Sequence, residues 1–249
     1  MAARAKGKPA FLLVAGASRQ GAEAAASHTG AMVGDFAIWR GVAVQTGARL
    51  TYSLEEFLDA LLLSQIRGHR IGARPPEVLV VGAGGGCNVL ATDACDRAGL
   101  LLPHVDPEVA GRLSAEFGAG ASFGNPVEVP MGPLNASTLV PRLLKALGQG
   151  VPNAQIVFHV NVQSFYSYGR STEHSTEALQ GLAETLCALA AEAPDLVINW
   201  VIRNSICAEG DIITGLRRTA HAGGVATFLS FEAVAAAIAA ISRLPGDRA

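Results

Sequence analysis

The chain is poor in charge, in aromatic residues and in cysteine. Only 16% of its 249 residues are charged and 6% are aromatic. Scarce charge beside 50% hydrophobic residues excludes a disordered chain, whose composition runs the other way, and leaves ample material for a core. The formal net charge is −2, and no basic run extends beyond Arg4-Ala5-Lys6-Gly7-Lys8. A nucleic-acid or anionic-membrane footprint is therefore missing. No apolar stretch approaches the roughly eighteen residues of a membrane span. The four cysteines, Cys87, Cys95, Cys187 and Cys207, form no C-x-x-C pair. That spacing argues against a disulfide framework or a cysteine zinc site and suits buried free thiols in a reducing compartment. His104, His174 and His221 have no ligand-like spacing with acids or cysteines, so no metal site is expected. Arg4, Lys6 and Lys8 before the apolar run Ala10 to Ala17 superficially resemble a secretory signal. The run is short and starts after Pro9, so a cytoplasmic location is expected.

What is present is alternation. Strand-like apolar runs occur at Ala10 to Ala15, Arg49 to Tyr52, Glu77 to Gly82, Ala154 to Val162, Leu196 to Val201 and Val225 to Leu229, with helical patterns between them. Continuous apolar strands separated by helices imply an α/β fold with a parallel sheet. Ser53 to Glu56 reads as a capping box opening an amphipathic helix through Leu54, Phe57, Leu58, Leu61 and Leu62. Gly47 to Ser53 and Gly224 to Ser230 match as glycine, short strand and capping serine. We read this echo as two domains that close alike, residues 1–70 and residues 71–249, divided at the polar segment Arg67 to Pro76. The first supplies only two strands. Parallel strands buried on both faces need neighbours, so this domain is expected to be incomplete. Its missing strands would come from another chain, or the sequence is a fragment; an oligomer or complex is expected.

Two small-residue segments are candidates for chemistry. Ser27-His28-Thr29-Gly30 follows the small stretch Gly21 to Ala26. Neutral imidazole is a good nucleophile near pH 7, so His28 on such a loop could carry a phosphoryl group; it could equally be a surface histidine. The second segment, Val80 to Gly86, leads from a strand into a helix expected from Asn88 to Ala98. Free amides and the helix dipole favour an anion there. Three readings stay open: a tight turn without ligand, a phosphate or phosphoryl site, or a dinucleotide fingerprint. For the last, Gly82 and Gly84 fit, Cys87 stands at the third glycine position, and Asp106 falls where a ribose-binding acid would lie. Ser122 to Glu128, with Asn125-Pro126, reads as a structural loop. His159 reads as a core histidine. Phe165 to Arg170, and Arg203 with Asn204, follow strands at the sheet edge where ligands tend to bind.

Taken together, Gly7-Lys8-Pro9, Gly16, Gly21 and Ala24 to Ala31 resemble the second flavodoxin-like segment of NDP-forming acyl-CoA synthetases, relatives of succinyl-CoA synthetase. Ala83 to Gly86, Val89 to Ala94 and Ala98 to Leu100 resemble the start of that family's next flavodoxin-like domain. Gly124-Asn125-Pro126-Val127 and Thr227 to Ile241 resemble its later loop and final strand and helix. The resemblance implies two flavodoxin-like, succinyl-CoA synthetase-like parallel-sheet domains. It implies a partial subunit that helps join a small carboxylic acid to CoA at the expense of ATP or another nucleoside triphosphate with Mg²⁺. His28 would carry the phosphoryl group, with Ser27, Thr29, Gly30, Gly124 and Asn125 supporting the site. Gly84, Gly85, Gly86 and Asn88 would hold the phosphoryl group. CoA-binding and ATP-grasp domains, absent here, would act in trans. The sequence departs from the pattern at Ala17, Arg19-Gln20, and Cys87-Asn88, which stand where the family has a basic residue, an acidic turn and Pro-Gly. A non-catalytic acyl-CoA-binding or scaffolding relative is the second reading, and a nicotinamide-dependent oxidoreductase the third.

Overall fold

A computed structural model describes residues 9–29, 35–67, 76–152, 154–204 and 210–242. Gly30 and Cys207 lie outside the described residues, as does the side chain of Thr29. The chain divides into two compact units, residues 1–75 with 236–249, and residues 76–235.

In the first unit, β1 (Phe11–Leu13) pairs in parallel with β2 (Arg49–Thr51), Phe11 opposite Arg49 and Leu13 opposite Thr51. Between them lie α1 (Arg19–Thr29) and α2 (Phe36–Thr46), and α3 (Leu54–Arg67) follows. The capping box forms: Ser53 Oγ accepts from the Glu56 N–H at 3.0 Å, and Glu56 Oε2 accepts from the Tyr52 N–H at 2.8 Å. α1 was not expected from the sequence. Its alanine run, Ala24 to Ala26, has the best helix propensity of any residue type, and Ser18 Oγ caps it by accepting from the Gly21 N–H.

The second unit carries a six-stranded sheet. Its strands are β3 (Val78–Gly82), β4 (Ser122–Phe123), β5 (Val127–Glu128), β6 (Gln155–Asn161), β7 (Val197–Arg203) and β8 (Ala226–Phe228). Spatial order is β4-β5-β3-β6-β7-β8, and every neighbouring pair is parallel except β4 with β5. Without the short β4, the first parallel strand lies between the second and third, which is the doubly wound flavodoxin-like order. All five residues of β3 are buried, as a central parallel strand covered on both faces requires. α4 (Gly85–Arg97), α5 (Pro107–Phe117), α6 (Ala136–Gly150), α7 (Val162–Tyr168), α8 (Thr172–Glu192) and α9 (Gly210–Ala222) connect the strands, and α10 (Phe231–Ser242) follows β8. One continuous core runs from Leu79 and Val81 on β3 through Leu143 and Leu147 on α6 to Leu182 on α8 and Trp200 on β7.

The matched endings recur in three dimensions. Gly47 and Gly224 both take positive φ, 74° and 80°, just before β2 and β8. Ser53 and Ser230 then cap α3 and α10, with Ser230 Oγ accepting from the Ala233 N–H at 3.0 Å. Among the described residues no helix is long and apolar enough to cross a membrane.

Candidate functional site

In a doubly wound sheet the ligand crevice opens beyond the carboxyl ends of the strands where strand order reverses. Here that point lies between β3 and β6, whose last paired residues include Gly82 opposite His159. Gly82 is glycine for a steric reason: a Cβ there would overlap the His159 imidazole. The ring is 1% exposed, and its Nε2–H donates to Asn88 Oδ1 at 2.7 Å, since an amide oxygen has no proton to give. Burial first, and the Arg203 charge second, push the imidazole down to about 4 from its ordinary 6.5, so it is neutral at pH 7.

Gly84, with φ 98°, is the N-cap of α4 and offers no side chain to its first turn. Helix geometry leaves the amides of Gly85 and Gly86 without intrahelical partners. The dipole adds positive potential at the same place. Asn88, one turn in, is 2% exposed, and its Nδ2 has no hydrogen-bond partner among the described residues. A buried orphan donor of this kind marks a place where an acceptor belongs.

Four further side chains lie here. Arg203, the last residue of β7, donates from Nη1 to Cys87 Sγ at 2.6 Å. Its guanidinium lies 5.1 Å from the centre of the Phe231 ring, which meets the His159 ring edge-on at 5.1 Å. Glu128, at the end of β5, places Oε2 3.2 Å from where a Cβ on Gly85 would stand. Free amides, an orphan carboxamide and a guanidinium together can hold an oxyanion and share its charge.

The sequence pointed to Gly84, Gly85, Gly86 and Asn88, and the fold gathers all four at one helix start. It gave no role to Cys87 or Glu128, read His159 as core alone, and placed Arg203 only at the sheet edge. The missed signal was register, because Gly82 opposite His159 and Asn161 opposite Arg203 set these residues at one edge. Asn125 supports the crevice from a distance. Its Nδ2 donates to Val78 O and Pro103 O at 2.8 and 2.9 Å, and its Oδ1 accepts from the Val80 N–H at 3.1 Å. Gly124 is exposed, and a Cβ there would meet open space. The dinucleotide reading loses its ribose-binding acid: Asp106 Oδ1 is spent capping α5, accepting from the amides of Glu108 and Val109 at 3.0 and 3.2 Å.

In the other unit, Ser27, His28 and Thr29 form the last turn of α1 instead of a loop. His28 is exposed, and Ser27 Oγ donates to Ala24 O at 2.7 Å. A helix C-terminus favours positive charge, so a phosphorylated His28 would oppose the local dipole while that turn stays wound.

Comparison with known proteins places these features. Residues 1–63 match the succinyl-CoA ligase like flavodoxin domain. The chain is 35% identical over 126 residues to "Acetate--CoA ligase [ADP-forming] I" of Archaeoglobus fulgidus, covering 50% of this chain and 18% of that protein. It is 28% identical over 182 residues to "Acetate--CoA ligase [ADP-forming] II subunit alpha" of Pyrococcus furiosus, covering 72% of this chain and 38% of that one. The chain thus spans well under half the length of these relatives. Among solved structures, the dinucleotide forming acetyl-coenzyme A synthetase 1 of Ca. Korarchaeum cryptofilum, in complex with phosphate and ADP, matches with TM-score 0.72 at 22% identity, over 96% of this chain and 48% of that one. That likeness establishes a shared fold.

Proposed function

We propose that the chain, which matches the succinyl-CoA ligase like flavodoxin domain over residues 1–63 and is similar to ADP-forming acetate–CoA ligases, is part of a nucleotide-dependent acid–thiol ligase. In this reading His28 takes the phosphoryl group from a nucleoside triphosphate and passes it to a small carboxylic acid. The acyl phosphate is then attacked by the thiol of CoA, giving the thioester and inorganic phosphate. The observation that carries the reading is the oxyanion cradle at the start of α4, made of the Gly85 and Gly86 amides, the orphan Asn88 Nδ2 and Arg203.

The chain's own residues do identifiable work. The amides and Arg203 hold the oxyanion and spread its charge, an interaction that strengthens as negative charge grows in the transition state. Neutral His159 keeps Asn88 Oδ1 engaged, which leaves Nδ2 as the end free for an acceptor. In this reading Mg²⁺ would enter with the nucleotide. CoA-binding and ATP-grasp domains or subunits complete the enzyme in trans.

The test is to recover the tagged chain with its native partners, add γ-labelled nucleoside triphosphate and Mg²⁺, and look for acid-labile phosphate. Label on the wild-type chain that disappears in His28→Asn is the expected result. No label despite a co-purifying ATP-grasp protein would instead favour the scaffolding reading.

A further inference from the structure

Cys87 is the third residue of α4, and its sulfur accepts a hydrogen bond from Arg203, a guanidinium beside the start of that helix. The other described thiols are held differently. Cys95, two turns along the same helix, is 1% exposed, and burial pushes its thiol up to about 12. Cys187 donates from Sγ to Thr219 O at 3.6 Å, and burial raises it as well. Cys87 is half-buried, and its sulfur meets a guanidinium at a helix start. The orphan Nδ2 of Asn88, on the next residue, independently shows that an acceptor belongs at this helix start.

The sulfur and an oxyanion therefore compete for the same guanidinium. We propose that the cradle is thiol-gated: Cys87 is a nucleophilic modification site, and an adduct on its sulfur and a bound phosphate-like oxyanion exclude one another. This rests on the oxyanion reading of the α4 start. The modifying class is a soft electrophile, with hydrogen peroxide as the cellular case. The thiol gives its proton to solvent, the sulfur lone pair attacks one peroxide oxygen, and the O–O bond breaks as the S–O bond forms. Hydroxide leaves with the electron pair; sulfur is oxidised to the sulfenic acid and the peroxide is reduced. With iodoacetamide as probe, a C–S bond replaces the C–I bond and iodide departs.

The experiment uses the whole native chain at pH 7 with site-resolved peptide mass spectrometry. Iodoacetamide should label half-buried Cys87 at least ~10-fold faster than Cys95, which is 1% exposed. Inorganic phosphate should slow that labelling at constant ionic strength, and Arg203→Gln should slow it as well. Calorimetry should show phosphate binding to the untreated chain and its loss after Cys87 is alkylated. Labelling of Cys87 no faster than of Cys95, or phosphate binding that leaves the labelling rate unchanged, overturns the gate while sparing the cradle. No phosphate binding to the untreated chain overturns the cradle and the gate together.

Discussion

His159 is a buried base kept neutral by its surroundings, and that has a cost in acid. Its folded pKa of about 4 lies below the ordinary 6.5 that the unfolded chain would show. Between those values the unfolded state binds a proton that the folded state refuses, so stability falls as pH drops from about 6.5 to about 4 and is fully present above that window. The gap is worth roughly 3 kcal/mol at its limit. Urea midpoints at pH 7.5 and pH 4.5 should differ accordingly, and His159→Gln should flatten the difference. An NMR titration of the His159 ring with a midpoint near 6.5 would contradict the buried, Arg203-facing environment. The residue could be read from sequence as core because it falls within a long apolar strand. Its partnership with Asn88 could not, because the two lie 71 positions apart and meet only through the pairing of β6 with β3.

At the scale of elements, Asn125 shows how a loop outside the crevice can control it. Its three hydrogen bonds tie the loop to the backbone of β3 and to Pro103. Val127 and Glu128 then pair with Val81 and Gly82, which brings the Glu128 carboxylate beside Gly85. Asn125→Ala removes all three bonds and strands the backbone groups of buried Val78 and Val80 and of Pro103 at about 1 kcal/mol apiece, so a loss of ~2–4 kcal/mol is expected in denaturant unfolding. A loss under about 0.5 kcal/mol, the size of an ordinary surface substitution, would mean that water replaces the side chain without strain. Six strands were legible because most of them are continuous apolar runs. The two-residue strands β4 and β5 were not, because so short a segment carries no periodicity and is strand only through its partners. The helical last turn carrying His28 was not legible for the opposite reason: small residues suit a flexible loop, but the helix propensity of the alanines prevails.

For the whole molecule, the order of several short motifs along the chain was more telling than any one of them. Gly84 to Gly86 alone left a ligand-free turn and two ligand readings open, and only their sequence before Gly124 to Val127 and Thr227 to Ile241 pointed to one family. Physical reading supplied what the motifs did not, a guanidinium in the cradle. On the proposed reading the chain contributes the phosphoryl carrier and the cradle, while nucleotide and CoA are bound by partners. The purified chain given a small carboxylic acid, CoA, nucleoside triphosphate and Mg²⁺ should therefore form no thioester above background. Adding the ATP-grasp and CoA-binding partners should restore it. In that assembled system Arg203→Gln should lower thioester formation by ~10²-fold, the usual size for losing one preorganised charge at a developing oxyanion. A merely structural Arg203 would show its loss as a lower unfolding midpoint instead, with the rate per folded molecule unchanged. Turnover by the purified chain alone would assign nucleotide and CoA binding to this polypeptide and overturn the division of labour.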